Sequence, residues 1–271
     1  MSIEFKGENF GALINNIGLY SDGTPMVKTL IDDIAECAHT MVLRPDSLAE
    51  FTTAMFLVDA IEHNGGWIKN LVLPYLPGAR QDRSNATGDV LFTASSVADM
   101  INSRRFDTVV SVDPHSEVMP SLINNFVNYP LSLVYDKLWK GYTGVIAPDK
   151  GAKHRAEVAG EVLGKPVFYG SKHRDVSTGK LTGFDVDSLT LGGHYIVIDD
   201  ICDGGGTFVG LGEKIREQGC YADLFVTHGI FSKGTDALKK IYKNIYTTDS
   251  RDIHERNDVY KIKVVEDMVN Y

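Results

Sequence analysis

The stretch YIVIDDICDGGGTFVGLGEKIREQG, residues 195–219, decides how the rest of the chain is read. It opens on an apolar run of strand type, Tyr195 to Ile198, followed by two carboxylates, Asp199 and Asp200. Then comes a tight loop, Cys202-Asp203-Gly204-Gly205-Gly206-Thr207. A helical pattern takes over, with Phe208, Leu211 and Ile215 on one face and Gly219 as its stop. Leu224-Phe225-Val226 is the next strand, parallel to the first. The whole is a βαβ unit with a glycine-rich loop between strand and helix.

Such a loop suits phosphate. Three glycines let backbone N–H groups converge on one point with no side chain in the way. The helix N-terminus adds partial positive charge there, and Thr207 can offer its hydroxyl to the same anion. Asp199 and Asp200 fall at the carboxyl end of the strand, where α/β sheets bind ligands. They suit ribose hydroxyls, or Mg²⁺ reached directly or through water. No Gly-Lys-Ser/Thr follows, so this is not a Walker A loop, and the glycines lack the spacing of a dinucleotide fingerprint. The pattern resembles the phosphoribosyl pyrophosphate (PRPP) loop of type I phosphoribosyltransferases and PRPP synthetases. By itself it does not separate making PRPP from using it.

The 271 residues, 43% apolar and 23% charged, suit a soluble globular protein with one large core or two modest ones. No apolar run is long enough for a membrane span, and the start MSIEFKGENFG has no signal-peptide pattern. Cys37, Cys202 and Cys220 share no metal-type spacing, which fits a reducing cytoplasm. A net charge of −9 argues against a general nucleic-acid binder, so an anionic substrate needs local basic clusters.

Outward from the loop, the chain reads as two successive α/β halves, 1–129 and 130–271. In the first, Leu19 to Pro25 favours a turn or hairpin, and Ala38 to Leu43 is a strand. Ser47 to Glu62 is a helix, and Ile68 to Tyr75 is a strand running into Ala79-Arg80-Gln81-Asp82-Arg83. Those arginines either grip phosphate or simply pair with Asp82. Phe92 to Asn102 is helical, and Phe106 to Val112 is a strand leading to Asp113-Pro114-His115. His115 there is either a metal–phosphate contact or a local hydrogen-bonding residue. Asn128 to Lys140 carries few signals and reads as a crossing. In the second half, strand Gly144 to Ala147 leads to Pro148-Asp149, helix Lys153 to Leu163 follows, and strand Val167 to Tyr169 feeds Ser171-Lys172-His173-Arg174. Ser177 to Lys180 reads as a hairpin tip, hence a flap, and Tyr260 to Val265 as a last strand before a short helix.

Taken in order, these islands resemble the ribose-phosphate pyrophosphokinases, the PRPP synthetases, from about Leu19 to the C-terminus. Pro74-Tyr75 with Ala79-Arg80-Gln81-Asp82-Arg83 is similar to the family's P-Y-x-x-x-A-R-Q-D-R. Tyr20-Ser21-Asp22-Gly23 resembles F-S-D-G-E, Asp113-Pro114-His115 resembles D-L-H, and Pro148-Asp149 resembles P-D-x-G. Lys172-His173-Arg174 resembles the K-R-R of the flap, and Asp199 to Thr207 resembles D-D-x-x-D-T-x-G-T. The resemblance implies two tandem phosphoribosyltransferase-type (Rossmann-like) α/β domains with parallel sheets. It implies transfer of the β,γ-diphosphoryl group of Mg-ATP to the C1 hydroxyl of ribose 5-phosphate, giving PRPP and AMP. Lys172 and Arg174 are then the catalytic cations. Tyr20, Asp22, Arg80, Gln81, Asp82 and His115 would bind ATP, Tyr20 to Gly23 reaching the adenine of a neighbouring subunit in a homo-oligomer, a dimer or hexamer. Asp199, Asp200, Asp203, Gly204, Gly205, Gly206 and Thr207 would hold the ribose phosphate, and His115 and Asp149 the Mg²⁺.

Departures from the family pattern are Thr24 for the glutamate, Ser84 to Gly88 for a basic continuation, Ala152 for the second glycine after Pro148-Asp149, and Gly204-Gly205 for Thr-Ala. The segment before Tyr20 is short, and an N-terminal strand–helix is expected to be missing. Three other functions share these motifs: the same transfer to a bulkier 5-substituted ribose such as ADP-ribose, a PRPP-using phosphoribosyltransferase, and a regulatory synthetase-like subunit.

Overall fold

The computed structural model describes residues 2–6, 17–21, 24–27, 38–63, 65–84, 92–174, 181–251 and 258–271. The chain divides into two compact units. Unit 1 comprises residues 1–129, 250–252 and 265–271, and unit 2 comprises 130–249 and 253–264. The C-terminal helix thus belongs to the N-terminal unit.

Unit 1 is built on a five-stranded sheet in the order β1-β4-β5-β6-β7. Its strands are β1 (Ser2–Lys6), β4 (Ala38–Arg44), β5 (Trp67–Val72), β6 (Thr108–Val112) and β7 (Phe126–Tyr129). β4 to β7 run parallel and β1 closes one edge antiparallel. The segment before Tyr20 therefore keeps a strand, although a strand–helix was expected to be missing; residues 7–16 lie outside the described residues. Helix α1 (Leu48–His63) buries Phe51, Met55, Leu57, Val58 and Ile61. Each such side chain contributes about 1.5–3 kcal/mol on leaving water. They join Met41, Leu71, Val97 of α2 (Thr93–Asn102) and Val109 in one core. β2 (Ile17–Leu19) and β3 (Pro25–Val27) form the hairpin suggested by Asp-Gly and Thr-Pro, closed by Tyr20 N–H donating to the Thr24 carbonyl at 2.9 Å.

Unit 2 carries a seven-stranded sheet in the order β10-β9-β8-β11-β12-β13-β14. The strands are β8 (Gly144–Ala147), β9 (Val167–Arg174), β10 (Leu181–Val186), β11 (His194–Cys202), β12 (Tyr221–Gly229), β13 (Ile245–Thr248) and β14 (Tyr260–Ile262). All are parallel except β10, which pairs antiparallel with β9. β8 is buried at every position and β12 at all but its first, as expected for parallel strands covered on both faces. After β8 the chain passes through α5 (Lys153–Leu163) to β9 on one side; after β11 it passes through α6 (Gly206–Glu217) to β12 on the other. The strand order therefore reverses between neighbours β8 and β11, and the loops leaving their carboxyl ends flank that switch point.

Residues 128–140, read as a featureless crossing, hold the end of β7 and a one-turn helix α4 (Leu131–Tyr135). β9 runs to Arg174 rather than stopping at Tyr169, because β10 supplies partners for its polar end. Among the described residues the remaining elements are α3 (Val118–Leu122), a 3-10 turn (Lys150–Ala152), α7 (Asp236–Lys239) and α8 (Val265–Val269). No helix among the described residues is long and apolar enough to cross a membrane.

Candidate active site

The glycine loop turns as its composition demands. Gly205 sits at φ +76°, a left-handed conformation that costs other residues about 1–2 kcal/mol, and forms the cap of α6. With glycine there, no capping side chain covers the N–H groups of the first turn. A Cβ added at Gly206 would meet nothing within 4 Å, so this face of the loop is an open cradle. α6 ends as the sequence implied. Gly219 at φ +69° closes a Schellman turn, its N–H donating to the Arg216 carbonyl at 2.9 Å and Cys220 N–H to Ile215 at 3.2 Å.

The loop is laced to the segment after β12. Ile230 and Phe231 N–H both donate to the Cys202 carbonyl at 2.9 Å. Ser232 Oγ donates to Asp203 Oδ1 at 2.6 Å, and its N–H to the Asp203 carbonyl at 3.1 Å. Asp203 is thereby a strut of the loop. Cys202 is fully buried; burial first, then Asp199 and Asp203, push its thiol up to about 12. It stays protonated at neutral pH and is no nucleophile.

Two carboxylates stand just before the loop. Asp200 is buried and paired with Arg155 of α5 at 3.4 Å, while Arg155 Nη1 also donates to the Gly151 carbonyl at 3.0 Å. The Asp199 carboxyl is raised well above the ordinary range, first by crowding protein atoms and next by Asp200, with Asp149 adding to it. Asp149, after β8, is held rigidly. Its Oδ1 accepts from Gly151 and Ala152 N–H at 2.8 and 3.2 Å, and its Oδ2 from Lys172 Nζ at 2.6 Å. Burial alone would raise this carboxyl, but Lys172 and the two N–H groups together hold it below the ordinary range. Lys172 reaches it because β9 continues five residues past its last pairing with β8, at Tyr169, to Arg174.

Unit 2 thus gathers Asp149, Lys172, Asp199, Asp200 and the loop around one switch point. Arg155 belongs with them, although no reading of the sequence singled it out; its signal is a basic residue on the first turn of the helix that follows Pro148-Asp149. Arg174 lies at the end of β9, but its side chain falls outside the described residues, as do Ser177 to Lys180.

In unit 1 the loop after β5 is pinned to the carboxyl end of β6. Pro74 O accepts from Ser111 Oγ at 3.1 Å and Val112 N–H at 3.4 Å. Arg80 and Gln81 are exposed while Asp82 is buried. Burial would raise the Asp82 carboxyl, but the Ser116 hydroxyl, Arg83 and His115 hold it low. Arg83 is itself exposed, and such a pair contributes little, so Asp82 serves mainly to tie the two loops together. Gln81 accepts from the Thr93 hydroxyl through its side chain and from Ala94 N–H through its carbonyl at 3.2 Å, steadying the start of α2. Asp113 and His115 both lie at positive φ, +47° and +68°. Non-glycine residues held there cost about 1–3 kcal/mol each and concentrate at functional sites. Tyr20 is exposed in the hairpin turn. Asp22, Gly23, Cys37 and Asn85 to Gly88 lie outside the described residues.

Among the described residues no group of three or more His, Cys, Asp or Glu side chains has the arrangement of a protein-only metal cage. The donor chemistry nevertheless fits Mg²⁺. Asp199, Asp200 and Asp149 bring hard carboxylate oxygens together in unit 2, where burial first and the neighbouring carboxylates next raise Asp199, and Mg²⁺ is commonly bound by one or two carboxylates plus substrate phosphates.

Fold and site together define an α/β protein of the phosphoribosyltransferase type, with tandem units. No protein-family model matches the sequence. Curated proteins do. The chain is 30% identical over 227 residues to the ribose-phosphate pyrophosphokinase of Pyrococcus furiosus, covering 80% of this chain and 77% of that one. It is 30% identical to the enzyme of the same name from Mycoplasmopsis pulmonis, over 78% of this chain and 68% of the other. It is 29% identical to that of Pyrococcus abyssi, over 90% and 85%. A crystal structure of phosphoribosylpyrophosphate synthetase from Mycobacterium smegmatis superimposes with a TM-score of 0.81 at 22% identity, over 94% of this chain and 87% of that one. The chain belongs to the ribose-phosphate pyrophosphokinase family.

Proposed function

We propose that the protein is an ATP-dependent ribose-phosphate diphosphokinase supplying PRPP for nucleotide biosynthesis. The observation that carries this reading is the Lys172–Asp149 contact at 2.6 Å beside an open glycine cradle, in a chain of this family. Diphosphoryl transfer needs such a cation beside the phosphates in flight.

In the reaction the C1 hydroxyl oxygen of ribose 5-phosphate bonds to the β-phosphorus of ATP. The bond from that phosphorus to the oxygen bridging to AMP breaks, AMP leaves with that oxygen, and the hydroxyl proton is released to solvent. The loop from Asp203 to Thr207 and the α6 N-terminus bind the 5-phosphate through N–H groups. Asp199 and Asp200 orient the ribose hydroxyls. Lys172, released from Asp149, neutralises charge on the diphosphoryl group in flight, joined by Arg174. Asp149, with substrate phosphates, would hold one Mg²⁺ site and His115 another, and the metal would supply charge neutralisation when bound. Unit 1 is the ATP side, with Arg80, Gln81 and the exposed Tyr20 as contacts, and unit 2 is the ribose-phosphate side. The protein works in the cytoplasm as a homo-oligomer.

Phosphorus NMR of the protein with Mg-ATP and ribose 5-phosphate tests this. AMP must appear in step with a new diphosphate on C1. ATP binding without AMP formation would overturn the proposal.

A further inference from the structure

We propose that Lys233 is a phosphate-contacting residue of the glycine loop, supplying the full positive charge that the loop lacks. The inference rests on the loop binding the acceptor's 5-phosphate, as proposed above.

Residues 202–207 contain no basic side chain, and three carboxylates, Asp199, Asp200 and Asp203, crowd the loop. Backbone N–H groups and a helix terminus offer only partial charges, about half an elementary charge in all. A phosphate dianion set beside those carboxylates needs a cation. The structure lays one across the loop. A Cβ at Gly204 would lie 3.5 Å from both Cδ and Cε of Lys233 and 3.9 Å from its Cγ, so the lysine stem rests on the glycine and its ammonium sits one bond beyond. Gly204 is thus the seat of this side chain, and even an added Cβ would stand in van der Waals contact with its stem.

The placement is built, not incidental. Residues 230–232 are tied to 202–203 by the four hydrogen bonds described above. Phe231 holds φ +47°, and Gly234 N–H donates to the Phe231 carbonyl at 2.9 Å, closing a turn that presents Lys233. Lys233 is exposed, and no carboxylate among the described residues pairs with it. Its stem lies over Gly204, and its charge is available to an anion entering the cradle.

Lys233→Met keeps the stem and removes the charge; Lys233→Arg restores a charge. Ribose 5-phosphate and plain ribose are titrated calorimetrically into the full chain and both variants, and steady-state KM values are taken for ribose 5-phosphate and ATP. Lys233→Met should weaken ribose 5-phosphate by about tenfold, ~1.4 kcal/mol, more at low salt than at high. Weak ribose binding and the KM for ATP should not change, and Lys233→Arg should recover most of the affinity. Unchanged ribose 5-phosphate affinity in Lys233→Met, or an equal loss for ATP, overturns the inference. If the wild type binds ribose 5-phosphate through Lys233 yet forms no PRPP, the proposed reaction fails and the phosphate contact stands. If PRPP forms and Lys233→Met is indistinguishable, the reverse holds. If ribose 5-phosphate does not bind, both fall.

Discussion

Replacing Arg155 with methionine isolates the buried pair behind the candidate site. Arg155 and Asp200 lie 3.4 Å apart, with side chains 11% and 8% exposed. At an effective dielectric constant of about 20, two unit charges at this distance attract by ~5 kcal/mol. Methionine fills much of the same volume but leaves the Asp200 carboxylate buried and alone, and the Gly151 carbonyl loses a donor. Breaking one side of such a pair typically costs about 3–5 kcal/mol, so Arg155→Met is expected to lose about 3 kcal/mol at pH 7. Urea unfolding of wild type, Arg155→Met, Asp200→Asn and the double variant measures it. The double variant should be less destabilised than the sum of the singles, by at least ~1.5 kcal/mol, because the second change removes the charge stranded by the first. The loss in Arg155→Met should shrink as the pH falls, because the stranded, buried carboxylate can take up a proton instead. A cost under ~1 kcal/mol at pH 7 with additive singles would refute the account, and Arg155 would then be a solvated cation of no structural weight.

Four further outcomes are expected. Lys172→Ala should lower kcat at least ~100-fold while the KM for ATP stays within a few-fold; a change confined to KM would remove Lys172 from the transition state. Gly206→Ala should fold as well as the wild type or gain up to ~1 kcal/mol, since nothing lies within 4 Å of the added Cβ, yet raise the KM for ribose 5-phosphate. Gly205→Ala, at φ +76°, should lose about 1–2 kcal/mol of stability; urea midpoints and acceptor kinetics for the pair check both. Asp199 sets a pH dependence. Its folded-state carboxyl is raised, so the folded chain keeps a proton that the unfolded chain has released. Its contribution to stability is present below the ordinary carboxylate value and is lost as pH rises through the elevated one. Asp199→Asn should abolish that decline and be more stable than the wild type at pH 8; parallel stability–pH curves for the two would refute the shift.

Much of this was legible locally. The helix read over Lys153 to Leu163 matches α5 residue for residue, and that over Ser47 to Glu62 is displaced by one. The apolar period and the stops at Gly164 and Gly219 are written in neighbouring residues. Residues 128–140 were opaque, since pieces of four and five residues complete no period. The polar end of β9 was opaque because β10, not hydrophobicity, holds it extended.

By itself, then, the sequence determined the two α/β halves, the glycine loop with its double carboxylate, and the resemblance to the ribose-phosphate pyrophosphokinases. These follow from residues within a few turns or strand lengths of one another. Only the tertiary structure decided which charges face which: Lys172 on Asp149, Arg155 on Asp200, Ser232 on Asp203, and the Lys233 stem on Gly204. The partners lie 23, 45, 29 and 29 positions apart in the chain (172 − 149, 200 − 155, 232 − 203, 233 − 204), and what joins them is the strand order β9-β8-β11-β12. Strand order is a property of how the sheet assembles, and no local pattern encodes it.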